Sequence, residues 1–235
     1  MERTKQVTGA RSEILGKIKA NLDPVKDSLV REQAVQARLI NPPAHIIPKR
    51  SLGDKAAQLA LFREMAEEVA ATTKSIDSLD KLPEEVVNYL VQHNLPPQIK
   101  TDSNPLLANL NWAAQATLKV KSGRAEIDDL VSVTAAFAGV AETGTVILAS
   151  GPKSPTTLNF LPENHIVVLP TSRLHGTYEE VWKRLRDCQN HGSKTLPRTV
   201  NWITGPSRTG DIEQTMQLGI HGPRRLHLIL VNDDG

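Results

Sequence analysis

His165-Ile166-Val167-Val168-Leu169 is a short, almost wholly apolar run. Such runs form strands buried on both faces, as in a parallel sheet covered by helices. Downstream of it, Tyr178 to Asp187 has helical spacing and Thr199 to Ile203 reads as a strand. Asp211 to Leu218 reads as a helix and Leu226 to Val231 as a last apolar strand. Strand–helix–strand–helix–strand over residues 165–231 predicts right-handed crossovers. The fold expected is α/β, a mostly parallel sheet with helices on both faces.

Upstream, Leu130 to Thr134 and Thr145 to Ala149 read as strands, and Gln98 to Thr101 and Ala116 to Val120 as weaker ones. Pro83 to Val91 is a helix opened by proline and two glutamates, which suit the positive end of its dipole. Leu59, Phe62, Ala66 and Val69 form one apolar helical stripe. Further back, Ile14, Leu15, Ile18 and Leu22 recur at helical spacing. Asp23-Pro24 then looks like an N-cap and a first-turn proline, opening a second helix that ends by Asn41-Pro42-Pro43. A strap containing Pro48 follows. The organisation expected is an N-terminal helical arm and linker over 1–50 and an α/β domain over 51–235.

Composition narrows the function classes. In 235 residues, Lys plus Arg is 28 and Asp plus Glu is 26, a formal net charge of +2. With one cysteine, Cys188, the chain can form no internal disulfide and ligate no four-cysteine iron–sulfur cluster by itself. No pair of histidines has zinc-ligand spacing, so no metal is expected. Aromatics are few, and the basic run Lys183-Arg184-Leu185-Arg186 follows Glu179 and Glu180 by one helical turn, as on a solvated face. No nucleic-acid partner is expected, no apolar run suffices for a membrane span, and the start lacks the apolar core of a secretory signal. The compartment expected is the cytoplasm.

Three stretches carry candidate chemistry. Thr204-Gly205-Pro206-Ser207-Arg208-Thr209-Gly210-Asp211 follows a strand and opens a helix. In an open α/β sheet, ligands sit at the carboxyl ends of strands beside helix N-termini. Gly205 and Gly210 allow close backbone approach, Ser207 and Thr209 offer hydroxyls, and Arg208 offers a planar fork for a carboxylate or phosphate. Asp211 with Gln214 also reads as a helix cap, a role compatible with the first. Glu142-Thr143-Gly144-Thr145 puts a carboxylate on a turn, either as base or nucleophile or as an exposed turn residue. Gly219-Ile220-His221-Gly222-Pro223 sets an imidazole on a loop. His165 opens the apolar strand, for a structural hydrogen bond or for proton transfer.

Taken in order, Ala-Glu-Thr-Gly-Thr at 141–145, Leu-Pro-x-x-His-Ile at 161–166, Gly-Pro-Ser-Arg-Thr-x-Asp-Ile-Glu at 205–213 and Gly-x-His-Gly-Pro at 219–223 resemble the LUD-domain family, in particular its stand-alone lactate-utilisation members. The resemblance implies the fold shared with CoA transferases and phosphosugar isomerases. It implies a part in oxidising L-lactate to pyruvate beside iron–sulfur partner proteins, with the clusters in those partners and no cofactor held by this chain alone. Carried over by motif, the positions are Glu142, Thr143, Gly144, Thr145, His165, Ser207, Arg208, Thr209, Asp211, Glu213 and His221. Read by residue type, Glu142, His165 and His221 are the candidates for proton chemistry, and Thr143, Gly144, Thr145, Gly205, Ser207, Arg208, Thr209, Gly210 and Asp211 those for a small carboxylate such as L-lactate. The loop from Ser150 to Phe160 lacks the arginine expected ahead of Leu-Pro-x-x-His. Other roles on the same fold are a CoA-transferase-like or phosphosugar-binding enzyme using Glu142, and a regulatory or structural subunit. Sheet edges leave room for a homodimer.

Overall fold

Strand β7 (Asn164–Pro170) is buried along its whole length and occupies an interior position in a six-stranded parallel sheet. This computed structural model describes residues 3–21, 28–42, 46–191, 196–210 and 216–233. The chain divides into Met1–Ile46 and Ile47–Gly235. The first unit holds helices α1 (Arg3–Asn21) and α2 (Ser28–Ile40), on which Ile14, Leu15, Ile18, Leu39 and Ile40 are exposed. The expected cap at Asp23-Pro24 lies outside the described residues, as do Asp211 and Glu213.

In the second unit, β7 pairs in parallel with β12 (Arg225–Val231), with Leu228 opposite Val167. β1 (Thr72–Ile76) adds beyond β12. β4 (Val131–Ala135), β2 (Gln98–Thr101) and β3 (Lys119–Ser122) extend the other side, giving the order β1-β12-β7-β4-β2-β3. Period-two alternation sends side chains to opposite faces. Ile166, Val168, Ile229 and Val231 enter one core, where α4 (Leu82–Gln92) contributes Leu82, Val86, Tyr89 and Leu90, and α5 (Pro105–Ala108) contributes Leu107. Val167, Leu169, Leu228 and Leu230 enter the other, against Phe62 and Ala66 of α3 (Lys55–Glu68). Each such fully buried side chain contributes about 1.5–3 kcal/mol relative to exposure.

A second, four-stranded sheet completes that other face. Its order is β8 (Leu174–His175), β5 (Ala138–Val140), β6 (Thr145–Ala149), β9 (Val200–Ile203). Helix α6 (Tyr178–His191) covers its far side through Val181 and Leu185. Both faces of the parallel sheet are therefore covered, as the apolar run at 165–169 requires.

The parallel pairing expected over 165–231 holds for β7 and β12, which are neighbours, and fails for the strand between them. β9 lies in the second sheet, antiparallel to β6, with Trp202 opposite Ile147. Its residues are only half-buried, because one side of that sheet meets α6 rather than a full helical layer. The helix expected over 211–218 is also corrected at its end: β11 (Gln217–Leu218) is a strand that pairs antiparallel with β10 (Arg208–Thr209).

The α3 N-cap, Asp54, accepts the Ala57 amide at 2.8 Å. Asp54→Ala is expected to cost about 1 kcal/mol and to lower Tm by roughly 2–4 °C, readable by thermal denaturation.

Candidate functional site

The last turn of α3 organises two of the family-like motifs. The chain leaves this helix through Ala70 in the left-handed region (φ 66°), with the Ala71 amide donating to Ala66 O at 3.0 Å. Two glycine turns press on this end. Gly144, between β5 and β6, has φ +64°, and a Cβ there would lie 2.7 Å from both Ala66 Cα and Met65 C, and closer still to the Ala66 amide nitrogen. Gly205, just after β9, has φ +75°, and its Cβ would lie 2.5 Å from Val69 O. The Arg208 guanidinium donates to the same Val69 carbonyl, placing a cation at the negative end of the helix dipole.

Between these turns the hydroxyls of Thr143, Thr145 and Tyr178 meet, at 2.6 Å (Thr143–Thr145), 2.7 Å (Thr143–Tyr178) and 3.0 Å (Thr145–Tyr178). Thr204 Oγ1 joins Thr145 Oγ1 at 2.7 Å. Tyr178 and Trp182 both pack on Trp202, with centroids 5.4 and 5.0 Å apart. The backbone of Glu142 is fixed on both sides: its N–H donates to Gly176 O at 3.1 Å, and its carbonyl accepts from Arg50 Nη2 at 3.1 Å. Partial burial and the nearby Glu179 raise its carboxyl pKa, and Arg50 acts against that shift.

The second assembly is the loop pair Ser207 and His221. The Ser207 amide donates to Pro223 O at 2.9 Å, and the Gly219 amide to Ser207 O at 3.0 Å. The Ser207 hydroxyl accepts the His221 amide at 3.3 Å, and His221 itself is exposed. Gly222 fits beneath: a Cβ there would meet Ser207 Cβ at 3.4 Å. Thr209 is buried on β10, and Gly210 is exposed with open space beside it.

This loop pair does not stand at the carboxyl ends of the parallel strands, where the strand-then-loop reading put it. Gly222-Pro223 leads into the first residue of β12, and Phe160, which Gly222 faces, precedes β7. The pair lies at the amino ends because the strand before it, β9, belongs to the other sheet.

His165 sits apart from both groups. It is fully buried, its Nε2 lies 2.7 Å from Thr134 Oγ1, and its Nδ1 has no partner. Burial pushes its pKa down to about 3, so the ring is neutral at physiological pH. Among the described residues no group of three His, Cys, Asp or Glu is arranged to hold a metal ion, and Cys188 is exposed.

Thr143, Gly144, Thr145 and Gly205 are thus brought together, as are Ser207 and His221, with Arg208 anchored at the shared helix end. Thr204 heads the candidate loop, though the sequence gives it no role of its own. Tyr178 and Arg50 carry no local signal, because they arrive from the start of α6 and from the strap before α3.

A family model described as the LUD domain matches residues 59–231. The chain belongs to the LUD domain family. Lactate utilization protein C of an Exiguobacterium species is 34% identical over 103 residues, 44% of either chain. Lactate utilization protein C of Geobacillus thermodenitrificans is 34% identical over 130 residues, 52% of this chain and 54% of that one. The chain matches about half the length of these curated relatives. A crystal structure of a DUF162 family protein from Deinococcus radiodurans has a TM-score of 0.58 at 22% identity, over 77% of this chain and 99% of that one, a likeness of fold. In this LUD domain the matched region runs from α3 to β12 and includes both the glycine turns and the Ser207–His221 pair. No helix among the described residues is long and apolar enough to cross a membrane.

Proposed function

We propose that this LUD domain serves in the cytoplasmic oxidation of L-lactate to pyruvate, as a component without redox centres beside iron–sulfur partner proteins. The observation that carries the reading is the Ser207–His221 pair, which a family-matched loop holds together at an exposed face next to Arg208. The free donors of Arg208 and the Ser207 hydroxyl suit a small carboxylate. His221 is the exposed imidazole that takes the lactate hydroxyl proton as the carbonyl forms. The two electrons and the C2 proton then pass to the partner's redox group, which balances the conversion of alcohol to ketone. An iron–sulfur cluster has no fit in this chain, whose one cysteine lies exposed on α6.

The test is genetic and biochemical. Loss of the chain from its host is expected to abolish growth on L-lactate, and the tagged chain to co-purify with cysteine-rich iron–sulfur proteins. His221→Ala is expected to lower lactate oxidation by the assembled system at least 100-fold, with co-purification intact. Normal lactate growth without the chain would overturn the proposal.

A further inference from the structure

Beside the carboxyl ends of β3 and β4 lies a different feature. A pocket of about 780 Å³ opens between the 150–157 loop, α6 and the start of β9. Arg124 reaches it just after β3, and Phe137 just after β4. In open α/β sheets this is the end at which ligands bind. The volume is far more than a three-carbon acid needs; pockets of roughly 300–1,000 Å³ hold ligands of cofactor size.

The lining has one sign of charge. Arg124 and Arg198 face the pocket, and among the described residues no aspartate or glutamate lines it. Among the described residues neither guanidinium has a carboxylate or carbonyl partner. Two unpaired guanidiniums in one cleft favour an anion.

Two hydroxyls in the lining are held by backbone amides. Ser150 Oγ accepts the Thr199 amide at 2.9 Å, and Thr157 Oγ1 accepts the Ala125 amide at 3.0 Å. With an oxygen lone pair of each engaged by backbone, their protons remain to be donated. Phe137, Leu196 and three prolines supply an apolar wall.

We infer that this pocket binds a nucleotide-sized organic phosphate. The phosphate groups take Arg124, Arg198, Ser150 and Thr157, and the apolar portion lies on Phe137 and Leu196. The site is separate from the Ser207–His221 pair and stands whether or not lactate is the substrate there.

The test is calorimetric titration of the full chain with ADP, ribose 5-phosphate and inorganic pyrophosphate. Saturable binding of ADP or ribose 5-phosphate is expected, at least tenfold tighter than pyrophosphate and weakened by salt. The double variant Arg124→Gln/Arg198→Gln is expected to weaken that binding at least tenfold. Gly151→Trp gives a second route: Gly151 lines the pocket, and a Cβ there meets nothing within 4 Å, so the bulky ring blocks the space without straining the backbone. Ser207→Ala is expected to leave phosphate binding unchanged, which separates failure here from failure of the lactate reading. Absence of binding by both organic phosphates at millimolar concentration overturns the inference. So does pyrophosphate binding as tightly as they do, or binding that survives both pocket variants.

Discussion

Gly144→Ala is expected to lower the unfolding free energy by about 3–5 kcal/mol and Tm by roughly 10 °C or more. Two costs combine. Alanine at φ +64° is held in the left-handed region, at about 1–2 kcal/mol. Its Cβ also lands on the backbone of α3, 2.7 Å from Ala66 Cα and Met65 C, where no flexible side chain can move aside. Relief requires separating the β5–β6 turn from the helix, which opens the core around Phe62, Ala66 and Val146. Gly210→Ala is the matched control: its φ is ordinary and its Cβ would meet open space, so a change within about 0.5 kcal/mol is expected. Thermal melts of the two variants side by side decide it, and coincident melting curves would refute the helix-contact argument.

Acidification is the second large effect. His165 is held neutral by burial, its pKa lowered to about 3. His227 is lowered to about 4, first by burial, then by His93 and Lys74. Both gain protons more readily in the unfolded chain, whose histidines titrate near 6.5, so stability is present above that pH and is lost as pH falls below it. From pH 7 to pH 5 each histidine removes about 2 kcal/mol. Asp102 acts in the other direction. Burial raises its pKa to about 6 despite the donors around it, so the folded state binds a proton that the unfolded state still releases. That returns a little over 1 kcal/mol across the same interval. A net loss of about 2–3 kcal/mol is expected from urea unfolding at the two pH values. His165→Asn retains a hydrogen-bonding partner for Thr134 and does not titrate, so it is expected to shrink the loss by about 2 kcal/mol. An unchanged pH dependence in that variant would show that His165 is not the group responsible.

Much of the fold is legible in the residues, and the physical reason is burial. β7 and β12 are recognisable because a strand covered on both faces has to be apolar throughout. β1 is not, since Thr72-Thr73-Lys74-Ser75-Ile76 is an edge strand with mostly exposed side chains. Nor is β5, where Ala138-Gly139-Val140 is short and small-sided because Leu169, Leu174 and Phe62 crowd in on Gly139. Thr199 to Ile203 reads as a strand, but its partner depends on tertiary packing rather than on its own pattern, and so its sheet was misplaced. In the candidate site, glycines mark Ser207 and His221 because tight turns need them. Arg124 and Arg198 carry no such mark: each is an isolated arginine, and only the fold brings them to one cleft.

Thr143, Thr145 and Tyr178 close a three-membered ring of hydroxyls. In such a ring each oxygen gives one proton and receives one, so the protons can run in either rotational sense. The two senses interconvert by turning O–H bonds, with every heavy atom left in place. Thr204 breaks the equivalence by its contact with Thr145 alone, in which either hydroxyl can be the donor. A group arriving at this turn therefore selects the sense of rotation, and with it the face from which Tyr178 presents its proton. Tyr178→Phe cuts the ring and leaves the Thr143–Thr145 contact, in which either hydroxyl can be the donor.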